Sequence, residues 1–123
     1  MVLVETKDLA EAGSATLDDF ARLDIRVGRI VEASPLAAAR RPSYRLRIDF
    51  GPAGLRQSAA QLPTTYPDPQ ALVGRLVVAV VNFPPRRVAG WRSDVLVLGA
   101  NSRDGRIPLL APDEGAEPGD PIS

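Results

Sequence analysis

Apolar and polar residues alternate along several short stretches of this chain with the two-residue period of a β-strand. The alternation is cleanest over residues 44–50, where one face holds Tyr44, Leu46, Ile48 and Phe50 and the other holds Arg45, Arg47 and Asp49. This pattern predicts a strand with one buried and one outward face. The turn residues 51–54, Gly-Pro-Ala-Gly, then lead to a second predicted strand over residues 55–60.

Four further stretches have the composition of strands. Residues 25–31 lose their alternation at Gly28 and Arg29, which predicts a bulge or a strong bend at that point. Residues 76–81 form an uninterrupted apolar run within a predicted strand over residues 76–83. Residues 94–100 are predicted to form the next strand, and residues 107–110 a late one. Phe50 and Phe83 are predicted to lie in the core.

Two short helices are predicted from their end signals. Thr16-Leu-Asp-Asp19 resembles a capping box and predicts a helix that runs to Leu23. Asp68 is a candidate N-cap, Pro69 suits the first helical position, and Gly74 suits the end of the helix. Residues 70–73 are therefore predicted to form one or two helical turns.

The order of the elements is three strands, a short helix and two more strands, with a strongly bent first strand. This is the order of an OB-fold five-stranded β-barrel. We therefore predict an all-β fold with short helices, in one domain over residues 16–123, after an N-terminal arm over residues 1–15. A β-sandwich with a connecting helix is the alternative. OB-folds present a face to oligonucleotides or other extended ligands.

The residue types that the chain lacks limit its chemistry. It has no histidine and no cysteine, and its only lysine is Lys7. These residues supply most general bases, zinc ligands and covalent nucleophiles. No glycine-rich loop follows a strand and opens a helix. We therefore predict a non-enzymatic protein with no catalytic residue, no metal site and no cofactor.

The N-terminus shows no basic region followed by a long apolar run, which is the pattern of a signal peptide. No apolar segment approaches the roughly 20 residues that span a bilayer. The predicted location is therefore the cytoplasm, without membrane insertion.

Charge is distributed unevenly along the chain, although the formal net charge is zero. Residues 25–106 carry thirteen arginines and five acidic residues, whereas acidic residues exceed basic ones by four both in residues 1–24 and in residues 107–123. A basic body of this kind favours an anionic ligand. Arginines that only solvate a β-surface are the alternative.

The stretch over residues 82–98 is the strongest candidate for a binding element. It contains a predicted loop, stiffened by Pro84 and Pro85, that leads from one apolar strand into the next apolar run at residues 94–98. It carries Arg86, Arg87, Arg92 and the only tryptophan, Trp91. Trp91 either plugs the end of the barrel or is a partly exposed platform for a base or an apolar side chain.

Several segments together resemble the CsaA family, which are small bacterial secretion-related chaperones built on a tRNA-binding domain. They include residues 23–31 (Leu-Asp-Ile-Arg-Val-Gly-Arg-Ile-Val), 46–51, 56–61, 78–87 (Val-Ala-Val-Val-Asn-Phe-Pro-Pro-Arg-Arg) and 93–99 (Ser-Asp-Val-Leu-Val-Leu-Gly). The resemblance implies an OB-fold, a homodimer, tRNA binding and chaperone-like binding of preproteins. Residues 38–42 lack the Asn-Ala-Asp pattern of the synthetase appendages, which favours the CsaA branch.

Three sets of candidate site residues follow from the arginine pattern and this resemblance. The set for tRNA is Arg40, Arg41, Arg45, Arg47, Arg56, Ser58, Arg86, Arg87, Arg92 and Ser93. The set for unfolded or presecretory polypeptides is Asn82, Phe83, Val88, Trp91 and Arg92. The set for a homodimer interface is Phe20, Leu23, Ile107, Leu109 and Leu110, together with the C-terminal extension. The export machinery is a further implied partner.

Overall fold

The computed structural model describes residues 13–123. They form one short helix, two 3-10 helical turns and seven strands. In chain order these are α1 (Leu17–Ala21), β1 (Ile25–Pro35), β2 (Tyr44–Asp49), the 3-10 turn Gly51–Ala53, β3 (Leu55–Ala60), the 3-10 turn Pro69–Leu72, β4 (Leu76–Val80), β5 (Arg86–Val88), β6 (Trp91–Ser93) and β7 (Leu96–Val97).

Five of the strands form an antiparallel sheet in the order β3-β2-β1-β4-β7. The long strand β1 pairs with β4 through its first half, from Ile25 opposite Val80, and with β2 through its second half, to Pro35 opposite Tyr44. The two edges of the sheet approach each other, and the Ser58 hydroxyl donates a hydrogen bond of 2.9 Å to the carbonyl of Val95. The sheet is thus a nearly closed five-stranded barrel, and the predicted OB-type fold is confirmed.

The irregularity in β1 lies later than the sequence predicts. The register of β1 against β2 shifts between Ile30 and Glu32, and the pairing at Gly28 is regular. Gly28 meets a packing requirement instead, because a Cβ there would lie 2.6 Å from Cγ2 of Ile48 and 2.7 Å from Cε1 of Phe50. The predicted bulge at residues 28 and 29 is therefore wrong, whereas the alternative of a strong bend at that point stays a prediction.

The barrel interior contains the apolar faces of the strands and the 3-10 turn at Leu72. Its largest fully buried side chains are Phe50, Ile30, Leu46, Ile48, Leu62, Leu72 and Val77. The prediction for Phe50 is correct and the prediction for Phe83 is wrong, because the Phe83 side chain is 44% exposed. Strand β4 ends at Val80, so the chain has left the barrel before it reaches residue 83.

The stretch predicted as a loop contains a β-hairpin. Strands β5 and β6 pair from Arg86 opposite Ser93 to Val88 opposite Trp91. Ala89 and Gly90 form the turn with φ of 50° and 84°, and positive φ at both positions is the geometry of a tight hairpin. Strands of three residues are too short to show a periodicity, so the sequence pattern could not reveal them.

The two strands predicted after this stretch are shorter than expected. Over residues 94–100 only Leu96–Val97 is a strand, because Asp94 hydrogen-bonds to Gln57 on β3 and Val95 turns into the core. The late strand over residues 107–110 is reduced to a single bridge between Leu109 and Gly99.

Both ends of the described chain are anchored by hydrogen bonds. The capping box is confirmed, with the Thr16 hydroxyl and the Asp19 carboxylate each accepting from the other residue's backbone. Helix α1 stops before Leu23, since the amide of Asp24 donates to the side chain of Asn82. At the other end, residues 119–122 pair with the start of β1, so the C-terminal tail adds a short strand to the chain's own barrel. Most of the predicted N-terminal arm lies outside the described residues.

Candidate nucleic-acid interface

The outward face of β2 brings two arginines together. Arg45 and Arg47 alternate with the buried Leu46 and Ile48, as the sequence pattern predicts. Residues directly opposite each other in neighbouring strands share a face. The pairing therefore places these arginines beside Ser34 and Glu32 on β1, and beside Ala59 and Gln57 on β3.

Trp91 of the hairpin lies against these two arginines. Its indole N–H donates a hydrogen bond of 3.0 Å to the carbonyl of Ser58. The guanidinium carbons of Arg45 and Arg47 lie 5.4 and 5.5 Å from the centre of the indole ring, which is within cation–π range. Trp91 is half-buried, as the interpretation of partial exposure expects, and its role as a platform for a ligand stays a prediction.

These side chains enclose a cleft of about 140 Å³, lined by Glu32, Ser34, Arg45, Arg47 and Trp91. We name it the Arg–Trp cleft. The Nε of Arg45 donates to the Ser34 hydroxyl at 2.8 Å, and the Nε of Arg47 lies 3.7 Å from the Glu32 carboxylate. Two cations and one anion therefore face a single small space.

Hydrogen bonds to β3 hold the hairpin in place. The Gln57 side-chain amide donates to the carbonyl of Arg92 at 3.0 Å, and the amide of Ala59 donates to the Ser93 hydroxyl at 3.2 Å. Ser58 and Ser93 are buried, and their hydroxyl groups serve these internal contacts. Their prediction as tRNA contacts is therefore not supported, because a buried hydroxyl cannot reach a ligand without breaking them.

The remaining predicted arginines do not form one stripe. Arg56 is half-buried and lies opposite the inward-facing Ile48, which places it on the other face of the sheet from Arg45. Arg40 and Arg41 are exposed on the connection between β1 and β2. Arg87 donates to the carbonyl of Gly90, and Arg92 forms an ion pair with Asp94. Arg86 lies on the opposite face of the hairpin from Arg87 and Arg92.

A second cleft of about 230 Å³ lies at the base of the hairpin, beside the pair of Arg86 and Ser93. We name it the Phe83 groove, and it is lined by Ala59, Phe83, Pro84, Arg86, Ser93, Asp94, Val95 and Leu96. Phe83 and Leu96 are 44% and 38% exposed there. The sequence does not single out Leu96 as a site residue, because Leu96 is one of several apolar residues in a predicted strand.

The predicted polypeptide pocket is divided by this arrangement. Phe83 lies in the Phe83 groove, Trp91 lies in the Arg–Trp cleft, and Val88 is paired with Trp91 inside the hairpin. Asn82 is not a free rim residue, since its amide accepts from the backbone of Asp24 and donates to the carbonyl of Arg22.

The predicted dimer residues also separate into two groups. Phe20, Leu23 and Leu110 are exposed. Ile107 and Leu109 pack against the chain's own core, and their amides donate to the side chains of Thr65 and Tyr66. Leu17, which the sequence did not single out, is the most exposed large apolar side chain of the described residues.

Two negative findings apply to residues 13–123. In this part of the chain no three His, Cys, Asp or Glu side chains cluster in a way that suits a metal ion. None of its helices has the length and apolar character needed to cross a membrane.

Comparison with known proteins identifies the class of protein that carries this fold and this site. The family described as putative tRNA binding domain matches residues 25–121, and the chain belongs to that family. The CsaA chaperone protein from Picrophilus torridus is 46% identical, with a TM-score of 0.82 over 89% of this chain and 100% of that one. The chaperone CsaA from Bacillus anthracis is also 46% identical, with a TM-score of 0.85 over 90% and 100%. The predicted resemblance to CsaA is confirmed.

Relatives of a second kind share only this domain. A methionine–tRNA ligase of Thiobacillus denitrificans is 42% identical over 110 residues, which are 85% of this chain. The chain spans 16% of that protein's length. The similarity therefore concerns a tRNA-binding domain and does not extend to the remainder of the ligase.

Proposed function

We propose that this chain binds tRNA through the Arg–Trp cleft and the exposed arginines beside it. The observation that carries the proposal is the placement of Arg45 and Arg47 on one outward face, held around Trp91. One guanidinium group can bind two phosphate oxygens at once through two parallel hydrogen bonds. Holding the guanidinium groups in place before the ligand arrives lowers the side-chain entropy that is lost on binding. The proposed activity is binding and not catalysis.

The family membership supports the choice of RNA over other polyanions. OB-folds bind single-stranded nucleic acid along one face, by combining basic groups with aromatic side chains. The Arg–Trp cleft has both kinds of residue on the outward side of the β1-β2-β3 sheet. A partner of this kind also supports a cytoplasmic location, as the sequence predicts.

The test is equilibrium binding of total tRNA to the protein across a range of salt concentrations. Each neutralised phosphate releases counterions, so the logarithm of affinity should fall with the logarithm of salt with a slope of about −0.7 to −0.9 per contact. Two or more contacts predict a slope of roughly −1.5 or steeper. Absence of tRNA binding at micromolar protein in low salt contradicts the proposal.

A second candidate function is the binding of unfolded polypeptides at the Phe83 groove. The specific observation is the exposure of Phe83 and Leu96 beside Pro84, in a groove that Arg86 borders. Shallow apolar surface next to polar groups suits an extended chain of variable sequence. The similar CsaA chaperones support this candidate, for which presecretory chains and the export machinery are the proposed partners.

Light scattering by an aggregating client tests this second function. Excess protein should suppress the scattering of an unfolded client, and the suppression should persist at salt that abolishes tRNA binding, because apolar contacts are not screened. Unchanged client aggregation, in a preparation that binds tRNA, leaves only the RNA function.

A homodimer is the proposed assembly. The exposed apolar side chains of Phe20, Leu23 and Leu110 support it, since such groups often mark an interface and two-fold dimers are the commonest oligomers. Ile107 and Leu109 do not support the dimer interface, because they pack on the chain's own barrel. Sedimentation at micromolar concentration tests the proposal, and a monomer contradicts it.

A further inference from the structure

We propose that the Arg–Trp cleft is a phosphate site in which Trp91 positions the two arginines and Glu32 is a built-in competitor for the phosphate. The inference rests on the proposed tRNA function and deepens it. It assigns the indole to holding guanidinium groups, not to stacking on a nucleobase, and it gives Glu32 a negative role in affinity.

The first step concerns the indole ring. Its N–H is hydrogen-bonded to Ser58, which fixes the ring against β3. The two guanidinium groups already lie within 5.5 Å of the ring centre, and the side chain is half-buried. A nucleobase that stacked on the ring surface beneath a guanidinium would have to displace that group. The arginines therefore already contact the indole before any ligand arrives.

The second step concerns the donors that remain on the arginines. The Nε–H of Arg45 donates a hydrogen bond to the Ser34 hydroxyl, and the Nε of Arg47 faces the Glu32 carboxylate. Among residues 13–123, the hydrogen bonds of these two arginines leave their terminal amino groups available. A planar guanidinium held at Nε and by cation–π contact is set to grip phosphate oxygens through those amino groups.

The third step concerns Glu32. Its carboxylate lies 3.7 Å from the Nε of Arg47, which is beyond good hydrogen-bond distance, and its side chain is 69% exposed. An exposed pair of this length is weak. Glu32 therefore sits beside the position that a phosphate should take, and it can swing into solvent when the phosphate arrives.

The experiment uses two ligands and three variants. The ligands are tRNA and inorganic polyphosphate, which offers phosphate groups without bases. Isothermal titration calorimetry measures the affinity of every variant for both ligands. In the variants that keep Trp91, the only tryptophan, its fluorescence also reports directly on the cleft. The variants are Glu32→Gln, Trp91→Leu and, as the matched control, Glu114→Gln, which removes the same charge from an exposed residue that does not line the cleft.

Glu32→Gln should tighten binding of both ligands by about two- to fivefold more than Glu114→Gln, the range that corresponds to one exposed ion pair. Trp91→Leu should weaken both ligands by the same factor, because a positioning role is independent of bases. Equal effects of the two glutamate variants, or a Trp91→Leu loss confined to tRNA, overturn the inference.

The outcomes also separate this inference from the proposed function. If tRNA binds but Glu32→Gln behaves like Glu114→Gln, the inference fails and the function stands. If polyphosphate follows the expected pattern and tRNA does not bind, the phosphate site stands and the function fails. Thermal unfolding checks that the Trp91→Leu variant is folded. If that variant is unfolded, the comparison of Glu32→Gln with Glu114→Gln alone decides whether the inference stands, because Glu32 is exposed and its substitution should not unfold the protein.

Discussion

The Arg–Trp cleft and the Phe83 groove border different parts of one hairpin and differ in the forces that they offer. Strand β6 supplies Trp91 to the cleft and Ser93 to the groove. In the cleft, charged side chains are held by hydrogen bonds and by an aromatic ring. In the groove, five of the eight lining residues are apolar, and Phe83 and Leu96 among them are exposed.

The difference would let the six paired residues of one hairpin serve both of the proposed ligands. Phosphate contacts depend on salt, because counterions are released. Apolar contacts depend on the area removed from water and are insensitive to screening. Salt and single substitutions should therefore separate the two clefts, even though the same hairpin supports both.

The largest expected effect comes from Arg45→Ala combined with Arg47→Ala. Loss of two charge-assisted contacts should weaken tRNA binding by about ten- to a hundredfold at low salt, and should flatten the salt slope by roughly 1.5. Binding of an unfolded polypeptide should be unchanged. Fluorescence anisotropy with labelled ligands measures both affinities.

The matched control for this prediction is Arg103→Ala with Arg106→Ala. It removes the same charge from exposed residues that line neither cleft. An equal loss of tRNA affinity in the control would mean that net charge, and not the Arg–Trp cleft, governs binding.

A smaller effect is expected from Phe83→Ala. Burial of one aromatic side chain contributes about 1.5–3 kcal/mol, and Phe83 is only partly exposed before binding, so polypeptide affinity should fall by roughly five- to thirtyfold. Affinity for tRNA should not change. Leu55→Ala is the control, because Leu55 is an exposed apolar residue outside the groove. Similar losses in the two variants would remove the groove from the polypeptide proposal.

Much of the barrel follows from the sequence because its signals are local. The alternation over residues 44–50 defines both the buried face of β2 and the outward position of Arg45 and Arg47. The capping box at Thr16 and the N-cap at Asp68 involve residues two or three positions apart. Features of this range are visible in a single sequence.

The features that the sequence missed depend on distant contacts. Phe83 belongs to an apolar run, yet it is exposed because β4 ends before it. Trp91 reaches Ser58 and Arg45 across more than thirty residues of chain, and Asn82 reaches Arg22 across sixty. Spacing in the sequence carries no information on such pairs, so the division of the predicted polypeptide pocket could not be foreseen.

Arg86→Ala combined with Arg87→Ala should have a milder effect on tRNA than the Arg45 and Arg47 pair. Arg87 is engaged with the carbonyl of Gly90, and Arg86 lines the Phe83 groove. Exposed charges that only approach the ligand contribute weakly, so we expect a loss of about two- to fivefold. If tRNA affinity falls as much as in the Arg45→Ala, Arg47→Ala double variant, the hairpin arginines are main RNA contacts as well. The same anisotropy titration decides this.

The smallest effect is expected from Ala89→Asn, which acts on both clefts through the hairpin turn. Ala89 has φ of 50°, a conformation that costs an alanine about 1–2 kcal/mol, and Asn-Gly is the preferred pair for such a turn. The variant should unfold a few degrees higher. Because the hairpin is already held by β3, the binding-competent fraction should rise little, and both affinities should increase equally, by less than about twofold. A gain for one ligand alone would show that the hairpin does not couple the two clefts, since a shared support must affect both.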